Sequence, residues 1–150
     1  MIKDSPSSSP RLLGYLGLLP VIAPTLLLIF DPHHSLVWSH LLLSYAAIIL
    51  VFVGALHWAF AMTIHALSPI QRRFAFIWSV IPSLVAWTSL FINTFFASVL
   101  LAIFFILNLL KDKELSKIVI FPGWYLPLRS RLTFVVVTCL TMTAVWSKFF

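Results

Sequence analysis

His57 is the residue in this 150-residue chain best placed to do chemistry. It stands in Gly54-Ala55-Leu56-His57-Trp58-Ala59, within a long apolar stretch. An imidazole can donate, accept and relay a proton, but burying one without a hydrogen-bond partner is costly, above all where the solvent is hydrocarbon. Gly54 and Ala61 lie on the same helical face as His57, and neighbours this small let a second helix approach closely. A counterpart stretch reads Trp78-Ser79-Val80-Ile81-Pro82-Ser83. Pro82 lacks an amide hydrogen, so the Trp78 carbonyl loses its helical donor. The expected partner of His57 is that carbonyl or the Ser79 hydroxyl. Tyr15 falls at a matching depth, and the candidate polar site is His57, Trp58, Tyr15, Trp78, Ser79 and Pro82.

Such a site has several uses. His57 can be a neutral, hydrogen-bonded packing residue. It can handle protons or, with Tyr15, hold a quinone-type head group or a lipid head group. Haem ligation needs a second axial ligand at similar depth, but His33, His34, His40 and His65 all fall at the ends of apolar runs. His33 and His34 are adjacent, yet no cysteine or carboxylate cluster accompanies them, and no metal site is expected. No catalytic residue is singled out: phosphate loops, paired carboxylates, G-x-S-x-G and H-E-x-x-H are all missing. The four acids fall near or outside the edges of the apolar runs, leaving carboxylate chemistry little to work with. Cys139 stands alone in an apolar run, which excludes a disulfide framework.

The elements that must position these residues follow from composition. Apolar residues make up 61% of the chain and charged ones 9%, against roughly 25% charged in soluble domains. Hydrocarbon must be the main solvent. A crossing needs about 20 apolar residues, and runs of that kind occur near 12–30, 38–61, 74–92, 95–110 and 132–147. The third and fourth come from one uncharged run, Phe74–Leu110. As a single helix it would be about 55 Å long, nearly twice the hydrocarbon thickness. It must fold back, and Asn93-Thr94 is the polar doublet near its middle. Pro20 and Pro24 predict a simple kink in the first run. The fold expected is all-α: an integral membrane bundle of five transmembrane helices behind a disordered tail, 1–11, that lacks the features of a cleavable signal peptide.

Basic residues orient it. With five crossings, Lys3, Arg11, Arg72, Arg73, Lys111, Lys113, Lys117, Arg129 and Arg131 share one side and Lys148 has the other. That asymmetry places the N-terminus in the cytoplasm and the C-terminus outside. The basic residues form no stripe, so the net charge of +6 does not point to nucleic acid. The connector 111–131 opens with a charged run, Lys111-Asp112-Lys113-Glu114, expected to face water. Its apolar remainder is expected at the headgroup layer, with Trp124, Tyr125, Arg129 and Arg131 as interfacial residues.

Four stretches carry a family resemblance: Gly14-Tyr15-Leu16-Gly17-Leu18-Leu19-Pro20; Tyr45 with Gly54-Ala55-Leu56-His57-Trp58; Trp78–Ser83 with Trp87; and Trp124-Tyr125 with Leu128-Arg129 and Arg131-Leu132-Thr133. Over most of residues 12–140 the chain resembles an uncharacterised family of small membrane proteins, domain of unknown function 3429. Where that family usually continues Gly-x-x-His-Trp with glycine, this chain has Ala59. The resemblance implies a bacterial inner (cytoplasmic) membrane, or the mitochondrial inner membrane of its animal relative, transmembrane protein 69. It carries no agreed activity. With so little mass outside the apolar runs, the expected role is non-enzymatic: an accessory, assembly or stabilising partner of another membrane complex. The alternatives are a small-molecule site at His57 for a quinone, lipid headgroup or proton, or a transporter acting as a dimer. The partners expected are the lipid bilayer and a membrane protein or second copy; a quinone or haem is the cofactor to test for, and none is required.

Overall fold

The computed structural model describes residues 8–149. Six α-helices follow in order: α1 (Ser8–Leu16), α2 (Leu19–Phe30), α3 (Ser35–Thr63), α4 (Pro69–Ser89), α5 (Thr94–Leu115) and α6 (Tyr125–Phe149). Four segments are long and apolar enough to cross a membrane: Ser9–Phe30, Pro32–Thr63, Thr94–Leu115 and Tyr125–Phe149. The remaining long helix, α4, is 21 residues long, is not among those four and packs along α3. No strand occurs among the described residues. Of the tail expected at 1–11, residues 1–7 lie outside the described part, and Ser8–Arg11 forms the first turn of α1 instead of disordered chain.

The first run is broken, not merely kinked. The Leu18 amide turns to the Tyr15 carbonyl and the Val21 amide to the Leu18 carbonyl. Both are one residue tighter than an α-helix, as happens where a proline at position 20 removes a donor. The Gly17 carbonyl is thereby freed, and the Tyr45 hydroxyl of α3 donates to it at 3.0 Å. One tyrosine thus ties the break to the bundle.

The other boundaries have local causes. Ser68 and Gln71 form a reciprocal capping box at the start of α4. Helix α4 ends at Ser89, and the Asn93 side chain caps α5 by accepting from the Phe95 amide at 2.9 Å. Between α2 and α3, Asp31 accepts from His34 at 2.9 Å and from the Trp38 indole at 3.3 Å. The His34 hydrogen bond, aided by the one from Trp38, holds the Asp31 carboxyl below the usual range. Its contribution to this turn is complete above the ordinary carboxylate pKa and is lost as pH falls through the lowered value.

The helices pack as a ring in chain order, α2 to α3 to α4 to α5 to α6, closed by α2 against α6 and crossed by a contact of α3 with α5. α3 therefore touches most of its neighbours, and its inner face is the centre of the core: Leu42, Ala46 and Leu50 meet Leu101 and Phe105 of α5 and Leu140 of α6. Large apolar side chains also cover the outside, Phe30, Phe52 and Phe134 among them. Water would not tolerate that periphery; a lipid solvent would.

Helices α3 and α4 approach closely at Gly54 and Pro82. A methyl group added to Gly54 would stand 2.7 Å from Pro82 Cβ and 2.8 Å from Cγ, and a proline ring in a helix cannot swing aside. Gly54→Ala is therefore expected to lower stability by about 1–3 kcal/mol, the usual cost of overpacking. A thermal melt in detergent that matched the unmodified protein would show that the two helices part easily.

Candidate functional site

The polar residues collect at one end of the bundle, where α3 and α5 finish and α6 begins. At its centre is Asp112, fully buried near the last turn of α5. Arg129, in the second turn of α6 and 8% exposed, donates from Nε to Asp112 Oδ2 at 2.8 Å. His57 of α3 brings Nε2 to 3.5 Å from Asp112 Oδ1, close enough for charge attraction but without an aligned hydrogen bond. An acid at a helix C-terminus and a base near a helix N-terminus each oppose the local dipole. Pairing the two across the α5–α6 contact offsets both.

The register that puts them there is simple. On α5 the buried face runs Leu101, Phe105, Asn108, Asp112, Leu115; on α6 it runs Arg129, Thr133, Val136, Leu140. Spacings of three and four residues keep each set on one face. His57 follows Leu50, Val53 and Gly54 on α3 in the same way. One turn from Asp112, Asn108 accepts from the Trp78 indole at 3.0 Å, which draws α4 into the site. Phe121, in the connector, stacks on Tyr125 at 4.9 Å and meets Phe60 at 5.3 Å, while Phe60 lies edge-on to His57 at 5.9 Å. These aromatic rings close the end of the bundle over the ion pair.

The cluster is under-satisfied from within the protein. His57 Nδ1 and Nε2, Asn108 Nδ2, Asp112 Oδ1, Tyr125 Oη, Arg129 Nη2 and Thr133 Oγ1 are all buried and make no aligned hydrogen bond among the described residues, although the Tyr125 hydroxyl stands near Arg129 and Asp112 and the His57 ring near the Gly54 and Val53 backbone. Buried polar atoms are rarely left so, and seven in one layer amount to an unmet demand for donors and acceptors. Beside them is a groove of about 670 Å³, walled by apolar residues of α4 and α5 with Gln71, Lys111 and Glu114 among its polar lining. His57 and Trp78 also line it. His57 thus stands between the groove and the ion pair.

Of the residues singled out from sequence, His57, Trp78, Tyr125 and Arg129 come together here, in company with Asn108 and Thr133. The rest are placed otherwise. His57 makes no hydrogen bond to the Trp78 carbonyl or to Ser79; the Ser79 hydroxyl donates back to Phe76 O at 2.7 Å, and Asp112 is the polar neighbour of His57 instead. Pro82 is used for packing against Gly54. Trp58 is 49% exposed and lies edge-on to Phe76 at 5.0 Å. Tyr15 is an exposed residue on α1 whose hydroxyl accepts from Arg131 at 3.4 Å, away from the cluster. Trp124 is half-buried.

Two corrections concern the connector. Helix α5 continues to Leu115 and α6 begins at Tyr125, so the non-helical part is only 116–124. Lys113 and Glu114 do face outward, but Asp112 turns inward, and Arg129 leaves the interface to join it. The expectation that all four acids fall near or outside the edges of the apolar runs misses that Asp112 is buried inside the bundle. Its register with Leu101, Phe105 and Asn108 was the available signal, hidden by the charged neighbours on either side. Among the described residues no group of three His, Cys, Asp or Glu side chains could hold a metal ion.

Removing one member of a buried ion pair strands the other. Asp112→Ala or Arg129→Ala should each destabilise the protein by about 3–5 kcal/mol. The double change Asp112→Leu with Arg129→Met should cost much less than the two singles added. Additive losses in melting experiments would mean that the two charges do not depend on one another.

A family model described as "Protein of unknown function (DUF3429)" matches residues 6–145. No curated protein and no solved structure matches. The chain belongs to that family of proteins of unknown function, DUF3429.

Proposed function

We propose that this is a membrane protein of five crossings which binds, at His57, a small lipid-soluble molecule with a hydrogen-bonding head group of the quinone kind. The carrying observation is the layer of seven buried polar atoms without an aligned hydrogen bond, bordered by a histidine that also lines an apolar groove. A ligand's flat or chain-like body would lie against Trp78, Ile77 and Ile81, while its head group meets the imidazole. The head group meets His57, the member of the buried polar layer that also lines the groove, and through it the Asp112–Arg129 pair behind. Such a site is mostly apolar with a few convergent polar groups, the usual make-up of small-molecule pockets.

Ionisable residues inside a membrane protein are costly and tend to be functional, which favours this reading over packing alone. The accessory-subunit reading draws on the exposed apolar periphery, and lipid covers that surface equally well. The excess of basic residues at the end holding the cluster supports an orientation with that end, and the N-terminus, on the cytoplasmic side of a bacterial inner membrane, or on the matrix side in a mitochondrion.

Protein extracted with its native lipids should carry a small organic molecule recoverable by solvent extraction and mass spectrometry. His57→Ala should cut its recovery at least about tenfold, the worth of one hydrogen bond to a buried polar group, with the melting temperature nearly unchanged. Equal loss of binding and stability would return His57 to a packing role, and a protein subunit recovered in place of the small molecule would favour the accessory reading. Reporter tags on the two termini should report opposite compartments; finding both in one would remove the five-crossing topology.

A further inference from the structure

A second hollow, of about 710 Å³, lies at the same end of the bundle beside the first turns of α4 and is lined by Leu67, Pro69, Arg72, Arg73, Phe76 and Ile77. Two guanidiniums therefore stand at the mouth of a mostly apolar depression. Among the described residues neither is paired with a carboxylate: Asp112 is taken by Arg129, Glu114 by Lys111 at 2.7 Å, and Asp31 by His34. Arg72 Nη2 donates to the Ile64 carbonyl at the end of α3, at 3.2 Å. That bond holds the guanidinium in place while leaving its other N–H groups free to donate.

We infer that this hollow binds the phosphate of an anionic phospholipid, with Arg72 and Arg73 on the phosphate and Phe76 and Ile77 against the glycerol and upper acyl chain. Charge complementarity selects an anion, and the planar, multi-donor guanidinium matches phosphate oxygens. The apolar walls select a lipid over free phosphate. Phe76 and Ile77 lie three and four residues beyond Arg73, about one helical turn deeper along α4, the order in which a phospholipid presents head group and then chain. The Ser68 and Gln71 amides take no part, because the capping box already satisfies them. Arg72 is pre-positioned, so less side-chain freedom is lost on binding. This site makes no use of His57, Asp112 or Arg129; it shares Leu67 and Ile77 with the groove beside His57, so Arg72 and Arg73, which line this hollow alone, are the residues that test it apart from the small-molecule reading.

The test uses the full chain in neutral detergent, titrated with phosphatidylglycerol and read by native mass spectrometry, with phosphatidylcholine as the control of neutral head group. Phosphatidylglycerol should be retained in preference, and Arg73→Gln should weaken it about fivefold, the worth of one basic side chain at an anionic surface. Arg72→Gln with Arg73→Gln should remove the preference altogether, while Arg73→Lys, which keeps the charge, should retain most of it. If the double variant does not fold, Arg73→Gln decides, provided its melting temperature is unchanged without lipid. The inference is overturned if the glutamine variants bind phosphatidylglycerol as before or if phosphatidylcholine binds as well. It is overturned too if millimolar inorganic phosphate displaces the lipid, since the site would then take a free anion.

Discussion

A carboxylate and a guanidinium 2.8 Å apart, both withdrawn from solvent between α5 and α6, are the constraint around which this end of the molecule is arranged. Neither charge is tolerable alone in an apolar interior, and their attraction offsets the desolvation only when the geometry is good. The pairing therefore fixes how far α5 and α6 may slide past one another, since a shift of one residue would rotate Asp112 or Arg129 out of the shared face. It also sets the length of the connector, which must return the chain from Leu115 to Tyr125 at the same level. The aromatic trio of Phe60, Phe121 and Tyr125 then closes over the pair.

Other parts of the bundle follow from that placement. His57 sits beside Asp112 because α3 runs close to α4 and α5, and α3 can run close because Gly54 gives Pro82 room. Trp78 reaches across from α4 to Asn108, so the same layer links four helices. At the opposite end the chain uses a neutral device, the Asn93 cap, and the Asp31 turn, where a single half-buried acid is held by His34 and Trp38. The division is physical. The ion pair is internal and fixes helix positions, whereas exposed polar groups near the turns are free to meet water or head groups.

The cluster is both a structural clamp and a site with unused hydrogen-bonding capacity. A purely structural ion pair would be expected to satisfy its own polar atoms, because each one left over weakens the fold. Here the pair is made, yet Asp112 Oδ1, Arg129 Nη2, both ring nitrogens of His57 and three neighbours still lack an aligned hydrogen bond. That surplus, facing a histidine which borders a groove, is the feature that packing alone does not account for.

What the sequence determined by itself was solvent, number of apolar runs and the identity of one central residue. The apolar fraction, the 37-residue run that had to fold back and the Asn93 turn all follow from local properties that hold whatever the neighbours are. His57 stood out for the same reason: a titratable group among apolar residues is visible without knowing its surroundings. Tertiary structure alone decided the ring order of the helices, the break at Gly17–Leu18 fastened by Tyr45, and the meeting of Asp112 with Arg129. In the linear chain Asp112 looks like one charge in a solvated run, because its burial depends on the face α5 turns toward α3 and α6. A side chain's register along its own helix can be read from spacing, but which neighbour that face meets is set by packing between helices, and no local pattern encodes it.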